Sequence, residues 1–263
     1  MEKTALIRDV SSDLENCALT FVDRLPIDWL KAAAQHREYG KALSRLGVAV
    51  TTLEALPGFA DGVFVEDPAV VFDELAVMTR MGTESRQGEV GELAKSLKAI
   101  RSLVFLETPA TLEGGDVLRI GQKVFVGTSK RTNRVGAEQL KKIIAPLGYQ
   151  VITSEVKGCL HFKTGCSYLG KNTVLINSTW IDPKTFDGFT VVEVDSREPF
   201  AANALLIGDT VVYSTSFVHT QNKLEKLGFK LELVDISELM KAEAGLTCLS
   251  QIICQTITKT KQL

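Results

Sequence analysis

A short phrase recurs along this chain and limits its fold more than any other feature: a helix that closes on Leu-Gly and runs straight into an apolar strand. It reads Leu46-Gly47-Val48-Ala49-Val50, then Leu147-Gly148-Tyr149-Gln150-Val151, then Leu227-Gly228-Phe229-Lys230-Leu231. The glycine supplies the left-handed residue that stops a helix without a Cβ clash. Two weaker copies fill the gaps, Ile100 to Leu106 without the glycine and Gly188-Phe189-Thr190-Val191-Val192, so the phrase returns every 40 to 54 residues. Ahead of the first copy, Trp29, Leu30, Ala33, Leu43 and Leu46 recur at helical spacing, with the helix expected to start at Pro26.

Pairs of short apolar runs lie between these transitions. They are Ala69-Val70-Val71 with Leu75-Ala76-Val77-Met78, Val117-Leu118 with Val124-Phe125-Val126, Tyr168-Leu169 with Thr173 to Ile176, and Ala204 to Ile207 with Val211-Val212-Tyr213. Turn residues separate most of them, as at Gly121-Gln122-Lys123, Gly170-Lys171-Asn172 and Gly208-Asp209. A fifth pair is expected from Leu249 to Ile257 closing onto the N-terminal strand Leu6-Ile7-Arg8. Sheet pairs plus one helix at this period mean radial repetition rather than a Rossmann sheet. The expected fold class is therefore α/β, a closed five-bladed, pseudo-symmetric α/β propeller. No linker or low-complexity stretch divides it, which predicts one domain over residues 1–263.

Composition narrows the partners. Thirty basic residues against 32 acidic ones leave a net charge of -2 without a basic run, so no nucleic acid or anionic membrane surface is expected. No apolar run approaches the ~20 residues of a membrane span, and charges interrupt the N-terminus before a signal-peptide core can form. The five cysteines (17, 159, 166, 248 and 254) include no CxxC pair, which argues against a disulfide framework or a zinc site. The expectation is a cytoplasmic protein without metal or cofactor. Its oligomeric state, homodimer or otherwise, is left open.

Polar residues fall at one phase of the repeat, just ahead of the first strand of each pair. In order they are Glu66-Asp67, Glu113-Gly114-Gly115-Asp116, His161, Asn203 and Cys248. In a propeller those positions face one another around the axis. Taken singly, each has a plainer reading: a strand-to-turn boundary, a tight turn, a satisfied core histidine, a buried thiol. Together they bring acid, imidazole, amide and thiol to one focus, where unpaired burial would be costly, and that points to a site.

A cysteine beside a histidine suits nucleophilic catalysis with acid–base help. Clustered carboxylates repel anions and match a planar guanidinium through bidentate hydrogen bonds. The residues thus suggest covalent attack by Cys248 on a guanidinium carbon. Metal binding by Cys248, His161 and Glu113 is the weaker reading, because no short-spaced ligand pair accompanies them.

Five motifs carry a family resemblance: Phe64-Val65-Glu66-Asp67, Leu112-Glu113-Gly114-Gly115-Asp116-Val117, Phe125 to Asn133, Leu160-His161-Phe162-Lys163 and Leu246-Thr247-Cys248-Leu249-Ser250. In order and spacing they resemble dimethylarginine dimethylaminohydrolases, guanidine-modifying enzymes of the five-bladed pentein fold. The resemblance implies hydrolysis of Nω,Nω-dimethylarginine or the monomethyl form to citrulline and a methylamine. It implies Cys248 as the nucleophile that forms a thiouronium adduct, and His161 as the proton donor to the leaving amine and the base for water. Glu113 then orients substrate or imidazole, Glu66, Asp67 and Asp61 hold the guanidinium, and Phe64 walls the pocket. Arg86 and Arg131 take the α-carboxylate, and the α-amino group meets the turn before Cys248. There the family usually has Asp-Gly, whereas this chain has Glu243-Ala244. A lid is expected from Asp9-Val10-Ser11, with Val10 over the pocket.

Two alternatives share the fold. A deiminase acting on arginine or agmatine would use the same site, although arginine deiminases add a helical domain for which 263 residues leave no room. A non-catalytic ribosome-binding propeller would need neither thiol nor imidazole in the ring.

Overall fold

The computed structural model describes residues 2–255. Its repeating unit is an antiparallel strand pair whose second strand continues through a helix into a third, parallel strand. The N-terminal unit comprises β1 (Glu2–Arg8), α1 (Trp29–Arg45) and β2 (Val48–Leu53). The second is β3 (Ala69–Val71), β4 (Leu75–Met78), α2 (Gln87–Leu97) and β5 (Ser102–Phe105). The third is β6 (Val117–Ile120), β7 (Lys123–Thr128), α3 (Arg134–Ile144) and β8 (Gln150–Glu155). A single turn, α4 (Phe162–Gly165), introduces the fourth, β9 (Cys166–Gly170), β10 (Thr173–Ile176) and β11 (Thr190–Glu193). The fifth has β12 (Leu205–Ile207), β13 (Thr210–Ser214), α5 (Val218–Lys226) and β14 (Lys230–Val234). After a turn of helix, α6 (Ser237–Met240), the chain returns as β15 (Gln251–Gln255), which pairs antiparallel with β1 and completes the N-terminal sheet.

Five three-stranded sheets thus form the expected propeller, closed by the two chain ends. β6 and β12 both pack on β9, and β15 packs on β3, so the first strand of each pair lines the axis. The middle strands β4, β7, β10 and β13 are buried almost throughout, because a neighbouring unit covers one face and a helix the other. That double burial is why they read as continuous apolar runs rather than alternating ones. The outer strands β5, β8, β11 and β14 are short and half exposed, which limits edge-to-edge pairing.

Three local expectations change. α1 begins at Trp29 rather than Pro26, because the Asp28 carboxylate accepts the Lys31 N–H at 3.0 Å and caps it there. The fourth unit has no α-helix between its parallel strands. Asp182 and Pro183 open only a 3-10 turn, Pro183–Phe186, before Gly188 at φ 84° redirects the chain. The last strand starts at Gln251 rather than Leu249, since Thr247–Leu249 is a 3-10 turn; residues 256 and 257 of the expected strand lie outside the described residues.

Candidate active site

The residues that precede the axial strands meet at one end of the axis and join in a closed circuit of hydrogen bonds. Asp67 Oδ1 accepts the Gly115 N–H at 3.1 Å, and Glu113 Oε2 lies 2.7 Å from His161 Nε2. Lys163, two residues past His161, presents its carbonyl to the Asn203 amide at 2.8 Å. Asn203 also takes the Thr247 N–H at 3.2 Å, and Thr247 Oγ1 donates to Glu66 Oε2 at 2.8 Å. The Cys248 carbonyl then accepts from Glu66 N at 3.3 Å, closing the ring. Every sheet contributes one stretch, so the common phase in the sequence becomes a common place in the fold.

Two glycines let the stretches approach. A Cβ on Gly115 would sit 2.6 Å from His161 Nδ1, and one on Gly245 would sit 2.4 Å from the Asn203 side chain. Both lie well inside contact distance, so a side chain at either position would push the ring apart.

Cys248 rides on the Thr247–Leu249 turn, and its sulfur accepts the Gly245 N–H at 3.4 Å. Burial pushes its thiol well above the usual range, and the charges of Glu66 and Asp67 push it further. His161 moves the other way from a simple buried imidazole. Burial opposes its charge, yet Asp67 and the hydrogen bond to Glu113 outweigh that and raise it to about 9. For Glu113 burial favours the neutral acid, but the bond to His161 and the nearby Arg86 and Arg131 hold it down at about 2. At neutral pH the resting site therefore contains a thiol, an imidazolium and a carboxylate. Atoms of Asp67, Glu113 and His161 come within 4.8 Å of one another, a donor set that a cation enters only by displacing the imidazolium proton.

A narrow pocket above Cys248 and His161 is lined by Asp61, Phe64, Asp67, Arg86, Arg131 and Glu243, with Ala18, Leu160, Ala242 and Ala244. The structure thus gathers most of the residues singled out in the sequence. Asp61 accepts the Ala18 N–H at 3.1 Å, and its burial raises its pKa. Arg131 reaches Thr20 Oγ1 at 3.3 Å and, less closely, Glu113 Oε1 at 3.5 Å. Arg86 is more constrained. It pairs with Asp67 at 2.8 Å and with Glu89 at 2.9 Å, and its guanidinium lies 5.9 Å from the Phe64 ring centroid. Any further anion on Arg86 must share a guanidinium whose donors already serve two buried carboxylates.

Three assignments are revised. Glu66 lies under Cys248 but outside the pocket lining. Its carboxylate pairs with Lys163 and Thr247, because a buried acid needs a cation and a donor. Val10 is not over the pocket. It packs in the core with Leu14, Ala32 and Tyr39, and its carbonyl accepts the Trp29 indole N–H at 3.1 Å. The cover comes from further along, at residues 18–21. Glu243 fixes that strap: its carboxylate accepts the N–H groups of Thr20 at 2.6 Å and Phe21 at 2.7 Å. The geometry places Glu243 at φ 58°, a left-handed conformation that a glycine adopts more easily. Both carboxylate oxygens serve the strap. Ala18 and Phe21 carry no mark in the sequence, since they act through backbone N–H groups that every such residue has; Thr20 adds to its N–H only the hydroxyl that meets Arg131.

The sequence profile described as N,N dimethylarginine dimethylhydrolase, eukaryotic, matches residues 27–248. The N(G),N(G)-dimethylarginine dimethylaminohydrolase of Streptomyces coelicolor is 36% identical over 250 residues, covering 94% of this chain and 96% of that protein. The enzyme of the same name from Pseudomonas aeruginosa is 33% identical over 225 residues, 85% of this chain and 89% of the relative. A crystal structure of the Pseudomonas aeruginosa protein, a cysteine-to-serine mutant complexed with citrulline, superposes with a TM-score of 0.91 at 31% identity, covering 96% of this chain and all of that one. The N-terminal domain of ArgZ, a cyanobacterial arginine dihydrolase, shares the fold at a TM-score of 0.86 and 18% identity. The propeller, the thiol–imidazolium–carboxylate constellation and these similarities agree: the chain belongs to the dimethylarginine dimethylaminohydrolase family.

Proposed function

We propose that this protein hydrolyses Nω,Nω-dimethylarginine and monomethylarginine to citrulline and dimethylamine or methylamine. The observation that carries the reading is that His161 and Cys248 open onto one pocket, where burial and the Glu66 and Asp67 carboxylates raise the thiol and Asp67 and Glu113 raise the imidazole. Such a pocket favours a cation. A guanidinium aligned on the Asp67 carboxylate brings positive charge to the sulfur and lowers the cost of the thiolate.

The thiol gives up its proton to solvent, and the thiolate attacks the guanidinium carbon: the C–S bond of a tetrahedral adduct forms as the C=N π pair moves onto nitrogen. His161 donates its proton to the methylated nitrogen, the C–N bond breaks, and a neutral amine leaves a thiouronium on Cys248. Neutral His161 next removes a proton from a water attacking the same carbon. The C–S bond breaks, its electron pair returns to sulfur, the adduct's hydroxyl proton follows to restore the thiol, and citrulline is released. Glu113, at 2.7 Å from Nε2, keeps the ring oriented and stabilises each return to imidazolium.

Phe64, Leu160 and Ala244 give the pocket an apolar wall that accommodates N-methyl groups. Arg131, with Arg86 beside it, receives the α-carboxylate, so agmatine is a poor substrate. In support, the similar structures include the citrulline complex of the Pseudomonas aeruginosa protein and a dimethylarginine dimethylaminohydrolase histidine-to-glycine variant as its adduct with S-methyl-L-thiocitrulline. Five free thiols fit a reducing compartment, the cytoplasm.

Citrulline release from dimethylarginine, monomethylarginine, arginine and agmatine, measured side by side, tests the reading. The methylated forms should give the highest kcat/KM, and Cys248→Ser should give none. Faster turnover of arginine or agmatine than of either methylated form would overturn the substrate assignment.

A further inference from the structure

The Thr247–Leu249 turn that bears the nucleophile does little to hold itself in place. It is three residues long, has no side-chain cap, and its closing bond, Ser250 N to Thr247 O, is stretched to 3.5 Å. From the axis it is held through Thr247, by Asn203 and Glu66, and through the Cys248 carbonyl, which takes the Glu66 N–H at a long 3.3 Å. The opposite side faces α1, and one stripe of that helix is polar where a simple core helix would be apolar.

Tyr39 is fully buried, and its hydroxyl is bonded twice. It donates to the Leu246 carbonyl at 2.9 Å and pairs with Ser250 Oγ at 2.7 Å. Leu246 and Ser250 are the two residues that flank the turn, so a single hydroxyl ties its entrance to its exit. One turn earlier on α1, His36 is 1% exposed, and its ring lies near the Leu249 backbone. Its Nε2 has no partner, the one such buried side-chain atom found among the described residues. The fold accepts that unpaired nitrogen where the ring meets the nucleophile turn. Gln35 extends the stripe, donating to Ser237 Oγ at 2.9 Å and accepting the Glu238 N–H at 2.9 Å. Phenylalanine at position 39 would fill the same volume; the hydroxyl is explained only by what it ties.

We propose that Tyr39, supported by His36, is a positioning residue for Cys248: the α1 brace spans the nucleophile turn and aims the sulfur at the guanidinium carbon. This rests on Cys248 being the nucleophile of the hydrolysis proposed above. Alignment of reacting atoms is steep in its consequences, since a displacement of about 1 Å costs on the order of a hundredfold in rate. The brace makes no contact with substrate and contributes nothing to the intrinsic reactivity of the thiol.

The test compares Tyr39→Phe and Ser250→Ala with the wild type in four measurements. These are kcat and KM for dimethylarginine, Cys248 alkylation by 2-chloroacetamidine, alkylation by iodoacetamide, and Tm. The cationic amidine must sit in the pocket to react, whereas neutral iodoacetamide needs no such alignment. We expect kcat and amidine alkylation to fall about tenfold in each variant, with KM and iodoacetamide alkylation within about twofold. Unchanged turnover would overturn the proposal. So would a parallel loss of both alkylations, which would mean altered thiol reactivity or a damaged fold. If Tyr39→Phe does not fold, Ser250→Ala still cuts the tie at its other end. A wild type that reacts with the amidine but releases no citrulline would refute the hydrolysis, and the two alkylation rates would still judge the brace.

Discussion

Replacing Glu113 by Gln removes one charge from the most buried ion pair of the site while keeping its shape and its ability to hydrogen-bond. The consequence follows from the two partners. His161 stands at about 9 against an unfolded value near 6.5, and Glu113 at about 2 against one near 4.5. An imidazole raised on folding contributes its stability in full below the unfolded pKa and loses it as pH rises through the folded one. Between pH 6.5 and 9 the wild type should therefore lose roughly 3 kcal/mol, at about 1.4 kcal/mol per pH unit of displacement. On the acid side the carboxylate contributes above about pH 4.5 and loses its contribution as pH falls toward 2. Both shifts describe one pair and are not added. In Glu113→Gln, burial acts on His161 against only the more distant Asp67 (4.0 Å from Nδ1) and Asp116, so its pKa falls and the alkaline loss shrinks. Urea unfolding followed by fluorescence at several pH values between 6 and 9.5 measures this directly. The same variant should lose turnover at neutral pH, because the imidazolium that protonates the leaving amine is depleted. A Glu113→Gln protein whose stability falls with the wild-type slope over that interval would refute the account of what holds His161 charged.

Three further outcomes test other parts of the site. Because burial and the charges of Glu66 and Asp67 raise the Cys248 thiol, iodoacetamide labelling should titrate at a lower apparent pKa when a small amidinium occupies the pocket and leaves the sulfur accessible; an unchanged or higher value would count against activation by the bound cation. Arg131→Ala should raise KM for methylarginine about tenfold or more, with a smaller effect on agmatine, which lacks the carboxylate; equal effects on both would remove Arg131 from carboxylate recognition. Glu243→Gln replaces one of two acceptors that hold the Thr20 and Phe21 N–H groups, so amide exchange across residues 18–21 should quicken and KM should rise severalfold; unchanged exchange would show the strap is held by other contacts.

The sequence alone was sufficient for the architecture and for the centre of the site. The Leu-Gly-strand phrase at Gly47, Gly148 and Gly228 marks turns where a positive φ is required, and all three adopt it, at 81°, 90° and 78°. Local chemistry of that kind survives into the fold because nothing distant can replace it. The phase of Glu113, His161 and Cys248 within the repeat was equally legible, because a propeller turns equal positions in successive units into neighbours. Other features depended on packing between segments far apart in the chain. Val10 and a lid residue look alike in sequence, since both are apolar side chains after a strand; only the fit of α1 against β1 decides that Val10 is core. Arg86 and Glu66 carry charges whose partners are chosen by burial: Asp67 and Glu89 for one, Lys163 and Thr247 for the other. Apart from the Thr20 hydroxyl on Arg131, the strap is held through backbone N–H groups, which every residue except proline has, so its role leaves little mark on the sequence. Tyr39 reads as one more aromatic on a helix until the tertiary structure sets its hydroxyl between Leu246 and Ser250. Periodic positions and turn chemistry are local and can be read from the chain, whereas the pairing of buried polar groups is settled by three-dimensional proximity.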